Sequence, residues 1–431
     1  MSSGDALVQD FVAGRYRAIE TGEAVRCPIR VIATSRSLAG REAALVREAG
    51  LGGRLAVVSD ENTREVLGRR VEAALPGAVS IVLEQPHANE ATADLLRERT
   101  RHCDGLIAVG SGTLNDLCKY VSHGDGRPCA VFGTAPSMNG YVTSTVSITR
   151  GDYKLSLPAQ PPSGVFFDLE ILAASPPRLI RAGLGDALCR GTAQVDWLFS
   201  HLLLNTPYYE SPYDLQLVDE PRLFAAAPRL LAGDLDAIDA LVDILTLGGL
   251  GVIVSGTSHS GSMGEHGISH FIDMFARPHP GSLHGEQVGL ATLTMARLQA
   301  QLLAEPTPPV LAPSPIEPSV LEARYGDKTP LCLEAMAKKA LDGARLDALN
   351  ARLARFWDEW RRALARLAVP PVRLEATLAA AGAATRPAEL GIDPDVYRTA
   401  VGHAHEIRDR FTFLDLAALT GRLEAFVRAE G

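Results

Sequence analysis

The stretch SGTSHSGSMGEHGISHFIDM, followed shortly by PGSLHGEQVGL, holds four of the chain's eleven histidines: His259, His266, His270 and His284. Imidazole titrates near neutral pH and is a common metal ligand. His266 and His270 are four residues apart, so one helix face carries both. The pattern is not the HExxH of metalloproteases, because the glutamate precedes the first histidine. A divalent metal that activates a substrate needs about three protein ligands and an open position. Histidine nitrogens plus one carboxylate suit zinc, and nickel or iron tolerate the same set. Asp186, in IRAGLGDALCRGTAQVDWLFSHLL, is the best carboxylate. It lies near the start of an apolar helix, where an unpaired charge is costly unless a cation meets it. Each histidine alone reads as structural. The acid and the later histidines together read as a metal site.

A second chemistry-bearing stretch is DGLIAVGSGTLNDLCKYVSHG, a strand, a glycine turn and a helix. Gly110 and Gly112 let the backbone approach a ligand without Cβ interference. Thr113 is expected to cap the helix, with Asp116 three residues on completing a capping box. Free N–H groups and the positive dipole end suit a pyrophosphate. The loop matches neither the P-loop nor a full GxGxxG pattern, and glycine used for turn geometry alone explains it equally well. Asp60, in RLAVVSDENT, ends another strand. It can hydrogen-bond an adenosine ribose and repel a 2′-phosphate, or simply cap the next helix.

These residues need elements to hold them. IRVIAT, RLAVVSD, VSIVLEQ, GLIAVGSG and CAVFGTAP read as buried strands alternating with amphipathic segments such as TREVLGRRVEAAL and EATADLLRERT. Such alternation implies a mainly parallel sheet with helices on both faces. TSTVSITRGDYKLSLPAQPPSGVFFD reads as a hairpin and an extended return to the sheet. From about Pro176 the strand signals fade. LDALNARLARFWDEWRRALARLA and LDLAALTGRLEAFVRAE repeat apolar residues at helical spacing, with Trp357 and Trp360 on one packing face. EPTPPVLAPSPIEPSV reads as an exposed proline-rich loop. The expected architecture is a Rossmann-like α/β domain over residues 1–175 and an all-α bundle over 176–431.

At 431 residues, 46% apolar and 22% charged, the chain has the composition of a soluble globular protein. Its net charge of −9 argues against nucleic acid as a partner. An anionic substrate therefore needs a local cationic pocket. The six cysteines are scattered and read as reduced cytosolic thiols. The N-terminus shows no secretion signal pattern, and no run is expected to approach the ~18 apolar residues of a membrane span. The expected location is the cytoplasm, and a homo-oligomer is left open.

GSGTLNDLCKY, TAPSMNGYVTS, AGLGDALCRGTAQVDW, GEHGISHF and LHGEQVGL stand in the order seen in glycerol-1-phosphate dehydrogenases. The chain resembles that family from RLAVVSDENT to LHGEQVGLATL. The family belongs to the metal-dependent alcohol dehydrogenase and dehydroquinate synthase superfamily, so the resemblance implies the dehydroquinate synthase-like two-domain architecture. It implies Asp186, His266 and His284 as metal ligands, usually to zinc. It implies Gly110, Ser111, Gly112 and Thr113, with Asp116 in the same motif, at the dinucleotide, and Asp60 near the adenosine. Thr134 and Ser137 would face the nicotinamide. His270 would sit in the site as a proton relay, and Lys154 would meet a substrate phosphate. The family's SMDG is SMNG here, so Asn139 replaces a carboxylate. Its SRPASGSEHH becomes SHSGSMGEHG, with His259 and Ser260 for arginine and proline, and a lysine after the GD pair becomes Arg190. Asn139, Lys154 and His259 are then expected to orient the anionic end of the substrate.

The expected activity is NAD(P)H-linked, metal-dependent reduction of a small phosphorylated or otherwise anionic ketone. Dihydroxyacetone phosphate giving sn-glycerol 1-phosphate leads, with a phosphonate or phosphate analogue beside it. The alternatives are a dehydroquinate synthase-like cyclase and a non-catalytic nucleotide-binding relative.

Overall fold

The computed structural model describes residues 2–151, 153–314 and 316–430. The backbone forms two compact units, Met1–Ala187 with Glu210–Ser258, and Leu188–Tyr209 with His259–Gly431.

The first unit is built on β1 (Val31–Ser35), β2 (Leu55–Asp60), β3 (Val79–Leu83), β4 (Gly105–Gly110), β5 (Cys129–Gly133) and β8 (Gly164–Asp168). They form one parallel sheet in the order β1-β8-β5-β4-β2-β3. Every residue of β4, β5 and β8 is buried. That explains their unbroken apolar runs, because a parallel strand covered on both faces has no polar side to alternate with. At the strand ends Gly110 pairs with Gly133, and Gly133 with Phe167. A Cβ at Gly133 would stand 2.8 Å from the Phe167 ring, so that position requires glycine. β6 (Thr145–Arg150) and β7 (Tyr153–Pro158) form the expected hairpin, and β8 makes the return to the sheet.

Helix Leu235–Ser255 corrects one expectation. It has a mean hydropathy of 2.0 over 18 residues and is long enough to cross a membrane, with 83% of that window buried in the protein. Core packing accounts for its composition: Asp234 caps its start through the Asp236 and Ala237 amides, and Gly256 ends it with a positive φ.

Among the described residues of the second unit the regular secondary structure is helical. The helices include Arg190–Leu204, Gly264–Phe275, His284–Ala304 and Gly343–Leu367. In the last of these Trp357 and Trp360 are buried, and the Trp357 indole donates to the Glu305 carbonyl at 2.9 Å. The proline-rich stretch is pinned rather than wholly exposed. Leu311 is buried, and its backbone N–H and C=O bond the Asn350 side chain at 2.7 and 3.0 Å. Pro315 lies outside the described residues. LDLAALTGRLEAFVRAE is two short helices, Phe413–Leu419 and Leu423–Ala429, interrupted near Gly421 at φ +68°. The change from strands to helices falls after Asp168, close to the expected residue 176. Segments 177–187 and 210–258 nevertheless belong to the sheet-containing unit.

Candidate metal centre and its surroundings

The histidine helix, Gly264–Phe275, begins among buried carboxylates. The Gly264 amide donates to Asp196 Oδ2 at 3.1 Å, and the Met263 amide to Glu265 Oε1 at 2.7 Å. Asp196 also accepts from Gln299 and from the Phe413 amide, each at 3.0 Å. Burial first, and then the charge of Glu265, push the Asp196 carboxyl up to about 8. Burial raises Glu265 as well, but the His266 hydrogen bond and charge and the Met263 amide outweigh it. Its pKa falls below the ordinary carboxylate value.

This network sets the histidine tautomers. His266 Nδ1 lies 3.0 Å from Glu265 Oε1, and a carboxylate only accepts, so Nδ1 carries the hydrogen and Nε2 the lone pair. His284 opens helix His284–Ala304, with its Nδ1 2.9 Å from Ser269 Oγ. Ser269 gives its own hydrogen to Gln287 Oε1 at 2.7 Å, so it accepts from His284, whose lone pair is also on Nε2. Gln287 is held in turn by Asp273 and Ser282 at 3.1 and 3.0 Å. Support of this kind raises the basicity of a metal-binding imidazole and fixes its orientation. The His266 and His284 rings are 5.1 Å apart, and His270 is 6.4 Å from the first and 5.8 Å from the second.

Asp186 lies on the last turn of helix Pro177–Leu188, just before the chain passes into the second unit. Its Oδ2 accepts the Asn139 amide at 2.8 Å. A Cβ on Gly183, one turn earlier, would sit 1.6 Å from the Pro136 carbonyl oxygen, so this helix touches the 136–139 loop directly. Candidate ligand atoms of Asp186, His266 and His284 all lie within 4.8 Å of one another. Two borderline nitrogens and one oxygen at that spacing fit a zinc-like cation. Cys189, Glu265 and His266 form a second such group. There, however, Glu265 is already taken by His266, Met263 and Thr192 as donors.

The loop that carries Asn139 is held by Lys119, which the motif reading passed over. Its ammonium donates to the carbonyls of Gly140, Thr143 and Thr145 at 3.0, 2.8 and 2.8 Å, and to Thr143 Oγ1 at 3.2 Å. Lys119 is fully buried, and burial pulls its pKa down to about 8 against the opposing charge of Asp116.

The glycine loop itself joins β4 to helix Gly112–Asp125, with Ser111 at the N-cap and no side-chain cap. The expected Thr113–Asp116 capping box is therefore absent. Asp116 turns inward, accepting from the Ser147 amide at 3.0 Å and from Asn115 at 2.9 Å. Burial pushes its pKa up, while Lys119 and, more weakly, Lys154 oppose the shift. The backbone amides of the first turn are thus left to other acceptors. A Cβ on Gly112 would meet Met138 Sδ at 3.3 Å. The Thr134 amide donates to the Gly110 carbonyl at 3.1 Å, and Ser137 hydrogen-bonds Tyr141. Asp60 forms a capping box with Thr63, the plainer of its two expected roles. Lys154 lies partly buried on β7, opposite Thr149.

His259 lies on a short 3-10 turn beside Trp197, with ring centroids 5.6 Å apart. Burial, then Arg410, then Arg408 hold its pKa down at about 3, so the ring is neutral. It adds no charge for an anionic substrate, contrary to a simple arginine-for-histidine exchange. The cations are Arg408, which donates to Ser262 Oγ at 3.0 Å, and Arg410, which donates to the Ser262 carbonyl. The IRDRF segment that holds them gave no sequence signal beyond two spaced arginines.

The sequence profile of the iron-containing alcohol dehydrogenase family matches residues 33–176. Glycerol-1-phosphate dehydrogenase (NAD(P)+) of Geobacillus stearothermophilus is 30% identical over 377 residues, covering 84% of this chain and 85% of that protein. The enzyme of the same name from Thermococcus kodakarensis is 26% identical, over 91% of this chain and 93% of its own. The crystal structure of a probable glycerol dehydrogenase from Sinorhizobium meliloti 1021 superposes with a TM-score of 0.60 at 19% identity, covering 93% of this chain and 98% of that one. That likeness speaks to the fold alone. With the first relative's extent and identity beside the five ordered motifs, this chain belongs to the glycerol-1-phosphate dehydrogenase family.

Proposed function

We propose that the protein reduces dihydroxyacetone phosphate, or a close phosphate or phosphonate analogue, to the corresponding secondary alcohol with NAD(P)H and a divalent metal. The observation that carries this reading is the set Asp186, His266 and His284, with both imidazoles committed through Nδ1 and presenting Nε2. When bound there, a divalent cation supplies Lewis acidity toward the ketone oxygen and the nicotinamide supplies hydride.

The chain's own groups do the rest. Glu265 and Ser269 keep the two rings aimed. Lys119 and the Asn139 amide keep the Asp186 carboxylate in register. His270 donates the proton that the reduced oxygen takes up, and recovers one from it in the reverse direction. Gly110, Ser111, Gly112 and Thr113 offer first-turn amides to the pyrophosphate, with Thr134 and Ser137 beside the nicotinamide and Asp60 at the adenosine side. Asn139 and Lys154 orient the substrate's polar end. A cytoplasmic location suits the reading, since all six cysteines are free thiols.

The test is NADH and NADPH oxidation with dihydroxyacetone phosphate by protein loaded with zinc or nickel. Turnover that disappears on chelation and returns with metal is expected. No net consumption of reduced nucleotide under any metal would overturn the reading.

A further inference from the structure

We propose that the Arg64–Glu72 ion pair sets the coenzyme choice: it turns the first basic side chain after β2 away from Asp60 and so favours NADH over NADPH. The inference rests on the dehydrogenase reading for the presence of a nicotinamide coenzyme. The two coenzymes differ only by a phosphate on the adenosine 2′ oxygen. In an open parallel sheet that ribose lies at a strand end near the glycine loop. There an acid binds the 2′-hydroxyl, or an arginine accommodates the 2′-phosphate. β2 occupies that place, since it pairs with β4 with Val58 opposite Ala108, two residues before Asp60 and Gly110 respectively.

Asp60 retains the capacity to accept from a hydroxyl. Its Oδ1 takes the Thr63 amide at 2.7 Å, and its own amide donates to the Thr63 hydroxyl at 3.0 Å. Among the described residues Oδ2 has no hydrogen-bond partner, and the carboxylate has no ion pair. The backbone around it adds further acids. Glu61 follows directly, and β3 sets Leu83 opposite Asp60, with Glu84 next in the chain. Neither glutamate is in an ion pair among the described residues. A 2′-phosphate placed here meets like charge, whereas a 2′-hydroxyl meets an acceptor.

Arg64, four residues after Asp60, is the side chain that could reverse this preference, and it is held elsewhere. Its Nε and Nη2 donate to Glu72 Oε1 and Oε2 at 3.1 and 3.2 Å, the paired geometry that favours a guanidinium on a carboxylate. Ser80, on β3, donates to the same Glu72 Oε1 at 2.5 Å. Helical residues eight apart are separated by about 12 Å along the axis, so both stems must reach over the turn between them. That turn, Arg64–Gly68, is π-helical and ends on a bare Cα, where a Cβ would stand 3.3 Å from Arg64 Cγ. The next two arginines are committed as well, Arg69 to Glu65 at 2.8 Å and Arg70 to Glu42 and Asp168 at 2.6 and 2.7 Å. Arg99, on helix Glu90–Thr100, donates to the Val82 carbonyl at 3.3 Å.

The experiment titrates full-length protein with NADH and with NADPH, following nucleotide fluorescence. The variants are Glu72→Ala, Glu72→Gln, Asp60→Asn and the double variant Arg64→Gln/Glu72→Ala. Wild-type protein should bind NADPH about 100-fold more weakly than NADH. Glu72→Ala releases Arg64 and should tighten NADPH about 10-fold with NADH unchanged, and the double variant should return NADPH to the wild-type value. Asp60→Asn keeps the helix cap and should tighten NADPH while weakening NADH. Equal wild-type affinities would overturn the proposal, as would a Glu72→Ala gain that survives the loss of Arg64, or no gain at all. If Glu72→Ala does not fold, Glu72→Gln carries the same comparison. Protein that shows this order of binding yet reduces no phosphorylated ketone would sink the substrate assignment and leave the coenzyme choice standing. Binding of neither nucleotide would overturn both.

Discussion

Two buried charges, one in each unit, are each met by several hydrogen bonds, yet burial treats them differently. In the first unit Lys119 is surrounded by neutral oxygens from Gly140, Thr143 and Thr145, and its pKa sinks to about 8. In the second unit Glu265 is met by a backbone amide, a hydroxyl and an imidazole, and its pKa falls below the ordinary value. The difference lies in the partners. Carbonyl dipoles compensate only part of an ammonium's lost hydration, whereas an imidazole can itself carry positive charge and so favours the carboxylate twice over. Lys119 consequently serves as a clamp on a loop, and Glu265 as a device that selects a tautomer.

The largest effect should come from removing the clamp. Lys119→Met takes the ammonium from the Gly140, Thr143 and Thr145 carbonyls, leaving the first and last only the Asn115 amide and the Thr143 hydroxyl, and should cost about 3 kcal/mol in urea unfolding. A loss below about 1 kcal/mol would mean that the ammonium is not what holds residues 140–145. Next in size, Glu265→Gln replaces a pure acceptor by a group that also donates. Zinc affinity, measured by competition with a chromophoric chelator, should drop roughly 10- to 100-fold while the fold is retained. Unchanged affinity would remove Glu265 from the support of His266.

The smallest effect concerns His259, where burial, Arg410 and Arg408 together outweigh Asp409 and carry the ring, like Lys119, toward neutrality. Its folded pKa, about 3, lies below the ordinary imidazole value of 6.5. The unfolded chain therefore binds more protons between those values, and stability is lost as pH falls through that window. His259→Gln should make the acid-side loss of the unfolding midpoint shallower between pH 6.5 and 3. Identical slopes in the two proteins would show that the ring is not shielded as described.

How much of this the sequence revealed depends on what each residue answers to. β4, β5 and β8 were legible because burial on both faces writes an unbroken apolar run. Residue type alone suggested only that an acid and the clustered histidines could meet a cation; singling out Asp186, His266 and His284 came from the family resemblance, and Asp186 sits on the last turn of its helix rather than near the start. Lys119, Glu265 and the Arg408–Arg410 pair were not legible, since lysines, glutamates and arginines on helices and turns are usually solvated and nothing local says otherwise. Thr113 and Asp116 have the spacing of a capping box, but the Ser147 amide, 31 residues from Asp116, captured the carboxylate. Leu235–Ser255 shows the converse, since core and lipid demand the same composition from a helix.

The bare Cα of Gly183 has a consequence for anyone altering this protein. With the Pro136 carbonyl where a methyl group would go, no rotamer can absorb an alanine, so the segment would have to slide bodily. Asp186 rides on that segment and would be carried off its amide anchor. The resulting damage should surface as a failure to retain metal in a chain that still folds, a defect easily blamed on the wrong amino acid.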